Sequence, residues 1–209
     1  MSLFRRAMRF PYNVMLRSAS SNVKKLLWDR EYRSGKWNRI DDTRGDCIYR
    51  YLEKYAANGS ILDLGCGPGN TANELSASAY RSYSGVDISD VALDKAKWRT
   101  QQNSRADKNR FANADFLSYV PDQQFDVILL RESIYHVPLG RIKEIFDRYS
   151  PFLTPTGVFV VRLVTDNRLT SNARVRIIET NCDIVEKGQH SQDGLTVLVF
   201  RPKHPVMLA

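Results

Sequence analysis

The stretch Ile61-Leu62-Asp63-Leu64-Gly65-Cys66-Gly67-Pro68-Gly69-Asn70 decides how the rest of the chain is read. A short apolar run ending in three alternating glycines suits a buried parallel strand that must turn sharply into a helix and leave its backbone bare for a ligand. Upstream of it, Cys47, Ile48, Tyr51, Leu52 and Tyr55 form an apolar stripe at helical spacing, with N-cap candidates in Asp41, Asp42 and Thr43 and a stop at Asn58-Gly59. Downstream, the turn leads into a helix over 70–78, a second strand over 83–88 that carries Asp87 at its end, and a helix capped by Ser89.

Farther along, a weak third strand over 110–113 ends at Asp115-Phe116. Phe125 to Leu130 is apolar after Asp126 and reads as a central fourth strand. Pro138 opens a helix with Leu139, Ile142, Ile145, Phe146 and Tyr149 on one face. Thr154-Pro155-Thr156-Gly157 turns into a fifth strand over 158–164. A helix over 170–180 precedes strands at 183–187 and 195–201, the last with Leu195, Val197 and Val199 on one side. Strands alternating with helices predict an α/β fold, a doubly wound, mostly parallel seven-stranded sheet with helices on both faces.

A chain of 209 residues suits one domain plus an appendage, and 43% hydrophobic with 26% charged residues lies in the globular range. No apolar run approaches the roughly 18 residues of a membrane span. The net charge of +8 is uneven: Arg5, Arg6, Arg9, Arg17, Lys24 and Lys25 stand in the first 28 residues without a single acid. The remainder is nearly neutral, which argues against a domain-wide nucleic-acid footprint and for an anionic surface, lipid or polyanion, met by the N-terminus. Residues 1–27 are read as a basic arm: a loosely docked segment, a surface-binding helix or a targeting segment. Residues 28–203 form the domain, with a lid or helical segment at 28–57 and the α/β core at 58–203. Trp28, Tyr32 and Trp37 either close over a site or plug an edge of the core. Cys47, Cys66 and Cys182 are too scattered for a zinc or redox motif, so no metal is expected and the compartment is reducing, hence cytoplasmic, with the arm free to reach a membrane surface.

Two kinds of site use a glycine turn after a first strand. A dinucleotide fingerprint wants a third glycine where Asn70 stands, and the acid about 20 residues on, Asp87, suits both. Asp63 ahead of Gly65-x-Gly67-x-Gly69 separates them. Together with Gly85-Val86-Asp87-Ile88-Ser89, Ala114-Asp115-Phe116 and Phe125 to Leu130, this order resembles the class I S-adenosylmethionine-dependent methyltransferases over about residues 45 to 165. The resemblance implies a Rossmann-like methyltransferase fold with an antiparallel last strand, and S-adenosylmethionine as cofactor, released as S-adenosylhomocysteine. It implies that Asp63 lies near the amino-acid end of the cofactor, with Gly65, Cys66, Gly67 and Asn70 at the turn. It further implies that Asp87 accepts from the ribose hydroxyls and Asp115 from the adenine amino group, with Ile88 and Phe116 against the ring.

After the fourth strand, Arg131-Glu132-Ser133-Ile134-Tyr135-His136 reaches the sheet edge where open α/β sheets bind ligands. Glu132 and His136 resemble the Glu-x-x-x-His pattern of small-molecule methyltransferases, and the Asn/Asp-Pro-Pro-aromatic motif of base or amide methylation is missing. A base is needed if the acceptor holds its proton, as a hydroxyl does; His136 is the candidate, Tyr135 the runner-up, and Arg131 can bind an acidic group. The first reading is therefore methyl transfer to an oxygen or nitrogen of a small molecule or glycoconjugate. The others are an RNA or protein methyltransferase docked by the arm, a catalytically silent cofactor-binding subunit, and a nicotinamide dehydrogenase.

Overall fold

A computed structural model describes residues 19–38, 42–165, 169–190 and 194–203. Most of the basic arm, residues 1–18, and the N-cap candidate Asp41 lie outside the described residues. The helices are α1 (Ser21–Arg33), α2 (Ile48–Ala56), α3 (Asn70–Glu74), α4 (Asp90–Gln102), α5 (Ile142–Tyr149) and α6 (Leu169–Asn181). The strands are β1 (Gly59–Leu64), β2 (Tyr80–Asp87), β3 (Asn109–Asn113), β4 (Phe125–Arg131), β5 (Leu153–Val164), β6 (Cys182–His190) and β7 (Leu195–Pro202), and they form one sheet in the order β3-β2-β1-β4-β5-β7-β6. Among the described strands β7 runs against the common direction, pairing antiparallel with both β5 and β6. The expected fold class is borne out.

Period-two alternation within buried strands builds two cores at once. Leu62, Ile128, Leu130, Phe159, Val161, Leu198 and Phe200 face α5 and α6, meeting Ile142, Ile145, Phe146 and Ile178. Ile61, Val127, Leu129, Val158, Val160, Val197 and Val199 face the other way, onto Ile48, Tyr51 and Leu52 of α2 and onto Ala72 and Leu75. Because β7 lies inside the sheet between β5 and β6, it buries both faces rather than the single side its Leu195, Val197 and Val199 suggested.

The chain runs outward through β1, β2 and β3, then returns to place β4 on the other flank of β1. That reversal opens a crevice at the carboxyl ends of β1 and β4, and it is where the acids after β1, β2 and β3 converge.

Several boundaries differ from the sequence reading for local reasons. Helix α2 begins at Ile48 because Asp46, not Asp42 or Thr43, accepts the Ile48 N–H at 3.0 Å; Thr43 instead bonds Glu74. Helix α3 stops at Glu74, short of Ser78, because Arg105 takes the carbonyls of Ala72 at 3.0 Å and Leu75 at 2.7 Å. Pro138 precedes a single 3₁₀ turn, Leu139–Arg141, before α5 starts. Helix α1 runs without a break through the expected boundary between Leu27 and Trp28. No helix among the described residues is long and apolar enough to cross a membrane.

Candidate active site

At the end of β1 the backbone must leave the sheet, and Gly65 (φ 81°) and Gly67 (φ 54°) do so in the left-handed region that side chains disfavour. A Cβ on Gly65 would stand 2.6 Å from Ser133 Cβ, and one on Gly67 would stand 2.9 Å from the Tyr32 hydroxyl. The turn is therefore squeezed between the loop after β4 and the helix α1. The N–H groups of Gly65 and Cys66 both donate to Val86 O, at 2.8 and 3.0 Å, which ties the turn to β2. Cys66 is buried with its sulfur beneath the turn, and burial pushes its thiol well up.

Three acids line the crevice. Asp63 is 1% exposed; its Oδ2 accepts the Tyr83 hydroxyl at 2.6 Å, while Oδ1 makes no hydrogen bond. Burial pushes its carboxyl up to about 6, against the pull of the Tyr83 hydroxyl. Asp87 accepts the Gly67 N–H at 2.8 Å through Oδ2 and the Ser89 N–H at 2.9 Å through Oδ1, and burial outweighs both bonds to raise its carboxyl. Asp115 sits beside Asp87, since the Ala114 N–H donates to Asp87 O at 3.0 Å. Its Oδ1 caps Leu117 N at 3.0 Å, and its Oδ2 accepts from Ser21 Oγ at 3.0 Å and Lys24 Nζ at 3.1 Å. Ile88 is half-buried beside Asp87, and the buried Phe116 ring comes within 3.8 Å of a Cβ placed on Gly65. Asn70 is held by Arg99, which donates to its Oδ1 at 2.7 Å, and by Thr43.

The loop after β4 carries a second polar set. Arg131 donates to Asp46 at 2.7 Å, to the Tyr49 hydroxyl at 3.1 Å and to Thr71 Oγ1 at 3.4 Å. Asp46 also takes Arg162 at 2.9 Å, and Arg162 donates to Glu132 at 2.7 Å. Burial acts to raise the Asp46 carboxyl, yet the two guanidinium groups hold it below its ordinary value; for Glu132 burial wins over Arg162 and raises it. Glu132 takes φ 59°, a strained conformation for a side chain with a Cβ. Tyr135 is tied to the end of β5, accepting from Val164 N at 2.5 Å and donating to Val164 O at 3.3 Å. The His136 ring meets the Trp28 ring edge-on at 5.0 Å, and Trp28 lies 5.9 Å from Trp37 and 6.2 Å from Tyr32. The aromatic residues before the core thus gather around Trp28, which meets the segment after β4 at His136.

A family model described as a methyltransferase domain matches residues 31–196. The chain belongs to this methyltransferase family. The methyltransferase domain is similar to the 27-O-demethylrifamycin SV methyltransferase of Amycolatopsis mediterranei, 28% identical over 127 residues that cover 57% of this chain and 47% of the relative. It is similar also to a sterol 24-C-methyltransferase of Neurospora crassa, 27% identical over 127 residues that cover 59% of this chain and 33% of the relative. The chain spans less than half the length of these two relatives. Among solved structures, the N-methyltransferase NodS from Bradyrhizobium japonicum, in complex with S-adenosyl-L-homocysteine, shares the fold at TM-score 0.62 and 19% identity, over 78% of this chain and 90% of that one. Magnesium protoporphyrin IX methyltransferase from Synechocystis does so at TM-score 0.64 and 14% identity, over 88% of this chain and 98% of that one.

The methyltransferase reading of the sequence passed over several residues that the fold brings to this crevice. Tyr83, Asp46, Tyr49, Thr71 and Arg162 are partners of the expected residues but lie 20 to 85 positions from them along the chain, so no spacing signals them. Asp29 is 5% exposed within α1, and no motif in the sequence marks it.

Proposed function

We propose that this methyltransferase domain uses S-adenosylmethionine to methylate an oxygen or nitrogen of a small molecule or glycoconjugate. The observation that carries the reading is the Oδ1 of Asp63, buried and without a hydrogen bond beside a turn that has no Cβ at Gly65 or Gly67. A buried carboxylate oxygen left unpaired is costly, and the ammonium group at the amino-acid end of the donor is the partner that fits it. Asp87 keeps lone pairs on both oxygens beyond its two backbone bonds, which suits a ribose diol. Arg131 and Thr71 supply donors at the same end as Asp63, suited to the carboxylate of the donor.

When bound, S-adenosylmethionine supplies an electrophilic methyl group on a sulfonium. The chain must then orient the acceptor and keep water out. Trp28, Tyr32 and Trp37 form the roof that excludes water, and His136, facing Trp28 at the mouth of the segment after β4, takes the acceptor proton. The Tyr135 hydroxyl is occupied by both backbone groups of Val164, which favours a positioning role over that of a base. Arg5, Arg6, Arg9 and Arg17 of the basic arm add a contact with an anionic surface, while Lys24 and Lys25 are paired with acids of the fold.

Calorimetric titration with S-adenosylhomocysteine tests the donor, and mass spectrometry of a metabolite extract incubated with the protein and methyl-labelled S-adenosylmethionine tests the acceptor class. Binding together with label on a small molecule or glycoconjugate is expected. A protein that does not bind the nucleoside, or that labels only RNA or protein, refutes the proposal.

A further inference from the structure

Helix α1 meets the crevice at three points along its length. At its start, Ser21 Oγ and Lys24 Nζ both donate to Oδ2 of Asp115, whose side chain is 10% exposed against 15% for Lys24. In its middle, Asp29 Oδ1 accepts from Ser89 Oγ at 2.6 Å and Val91 N at 3.3 Å, at the beginning of α4, while Lys25 bridges Asp29 and Asp90. Toward its end, the Tyr32 hydroxyl rests against the Gly67 turn. Ser21 and Lys24 take both in-plane lone pairs of Asp115 Oδ2, while Oδ1 keeps one beside its bond to Leu117 N. The outer contacts of α1 therefore fall on two places the donor requires, the acceptor for its adenine amino group and the bare backbone of the turn. The middle contact falls on neither.

We propose that α1 is an autoinhibitory latch pivoting on Asp29, in which Lys24 and Ser21 hold Oδ2 of Asp115 and the adenine amino group of the donor displaces them from that oxygen. The inference rests on the donor reading given above. Donor binding then exchanges the Ser21 O–H and Lys24 N–H partners of Asp115 for an N–H of the adenine, so the measured affinity is lower than the crevice alone would provide. Lys24 and Asp115 lie 91 positions apart, so the latch is a contact of the folded state, and because α1 is no part of the sheet it opens without breaking strand pairs.

The test uses the full chain and two nucleosides, S-adenosylhomocysteine and S-inosylhomocysteine, the second carrying a carbonyl in place of the amino group. Lys24→Met combined with Ser21→Ala should lower the dissociation constant for S-adenosylhomocysteine about fivefold, the scale of a partly exposed ion pair. Lys24→Arg keeps the pair and should leave the constant unchanged. S-inosylhomocysteine, whose carbonyl cannot replace the displaced donors on Asp115, should gain less in the double variant, only what release of the Gly67 turn provides. Without nucleoside, amide exchange over residues 21–33 should rise in the double variant while that of β1 and β4 stays as in the wild type. If wild-type protein binds S-adenosylhomocysteine but the double variant binds it equally or more weakly, or gains equally for both nucleosides, the latch is refuted and the donor reading stands. If the wild type binds neither nucleoside, the donor reading itself fails.

Discussion

Asp63→Asn should raise the stability of the protein at neutral pH while weakening its hold on the donor. The carboxyl is 1% exposed, and burial lifts it from 3.8 to about 6, with the Tyr83 hydroxyl opposing. A folded-state value above the unfolded one means that the folded protein binds the proton more tightly. The stabilising share of this group is complete below about pH 4 and is lost as pH rises through about 6. At about 1.4 kcal/mol for each pH unit of that rise, the charged form costs the folded state about 3 kcal/mol at pH 7. Asn keeps the shape and can accept the Tyr83 hydroxyl, but it places an amide N–H where Oδ1 has no partner, at a cost of about 1–2 kcal/mol. The net gain is about 1–2 kcal/mol, a rise in Tm of roughly 3–6 °C for a chain of this size. Urea unfolding of wild type and variant, followed by circular dichroism at pH 7 and pH 5, measures it. The advantage of the variant should shrink by about 1.4 kcal/mol at pH 5, where the wild-type carboxyl is largely protonated. Asp87 and Glu132, whose carboxyls are also raised, are present in both proteins and cancel from the difference. Calorimetry should show S-adenosylhomocysteine bound at least about tenfold more weakly by the variant, the loss expected for a charge-assisted hydrogen bond. A variant less stable than wild type at pH 7, or an advantage that does not change with pH, refutes the reasoning.

Other substitutions probe the rest of the crevice. Asp46→Ala leaves Arg131 and Arg162 buried without the carboxylate they share, and urea midpoints should show a loss of about 3–5 kcal/mol. Gly67→Ala forces a side chain into the left-handed region and against the Tyr32 hydroxyl. It should cost about 1–2 kcal/mol in thermal melts and loosen α1 in amide exchange. His136→Ala should leave S-adenosylhomocysteine affinity within about twofold and lower methyl-label incorporation about 100-fold, as expected for loss of a general base; unchanged incorporation would end that role.

The order of chemistry along one edge of the sheet is written in the amino-acid sequence. In a parallel sheet every strand ends on the same side, so Asp63, Asp87, Asp115 and Arg131, each placed at or just past a strand end, had to arrive together once the strands were recognised. The glycine turn was legible because Gly65 and Gly67 occupy backbone conformations that few other residues tolerate. Element ends were less legible, because they depend on partners elsewhere: Arg105 stops α3, and Asp46 rather than Asp42 starts α2. How the acids are satisfied is a matter of long-range contacts. Asp63 is paired with Tyr83 on the adjacent strand, Asp46 joins two arginines from β4 and β5, and Asp115 is held by a helix that precedes the whole sheet. Such pairings join residues 20 to 116 positions apart, as in Asp63 with Tyr83 and Asp46 with Arg162, and no local pattern encodes them. Burial settled the rest, since it alone makes one oxygen of Asp63 an unmet acceptor and turns Asp29, outwardly a surface residue of an exposed helix, into its anchor.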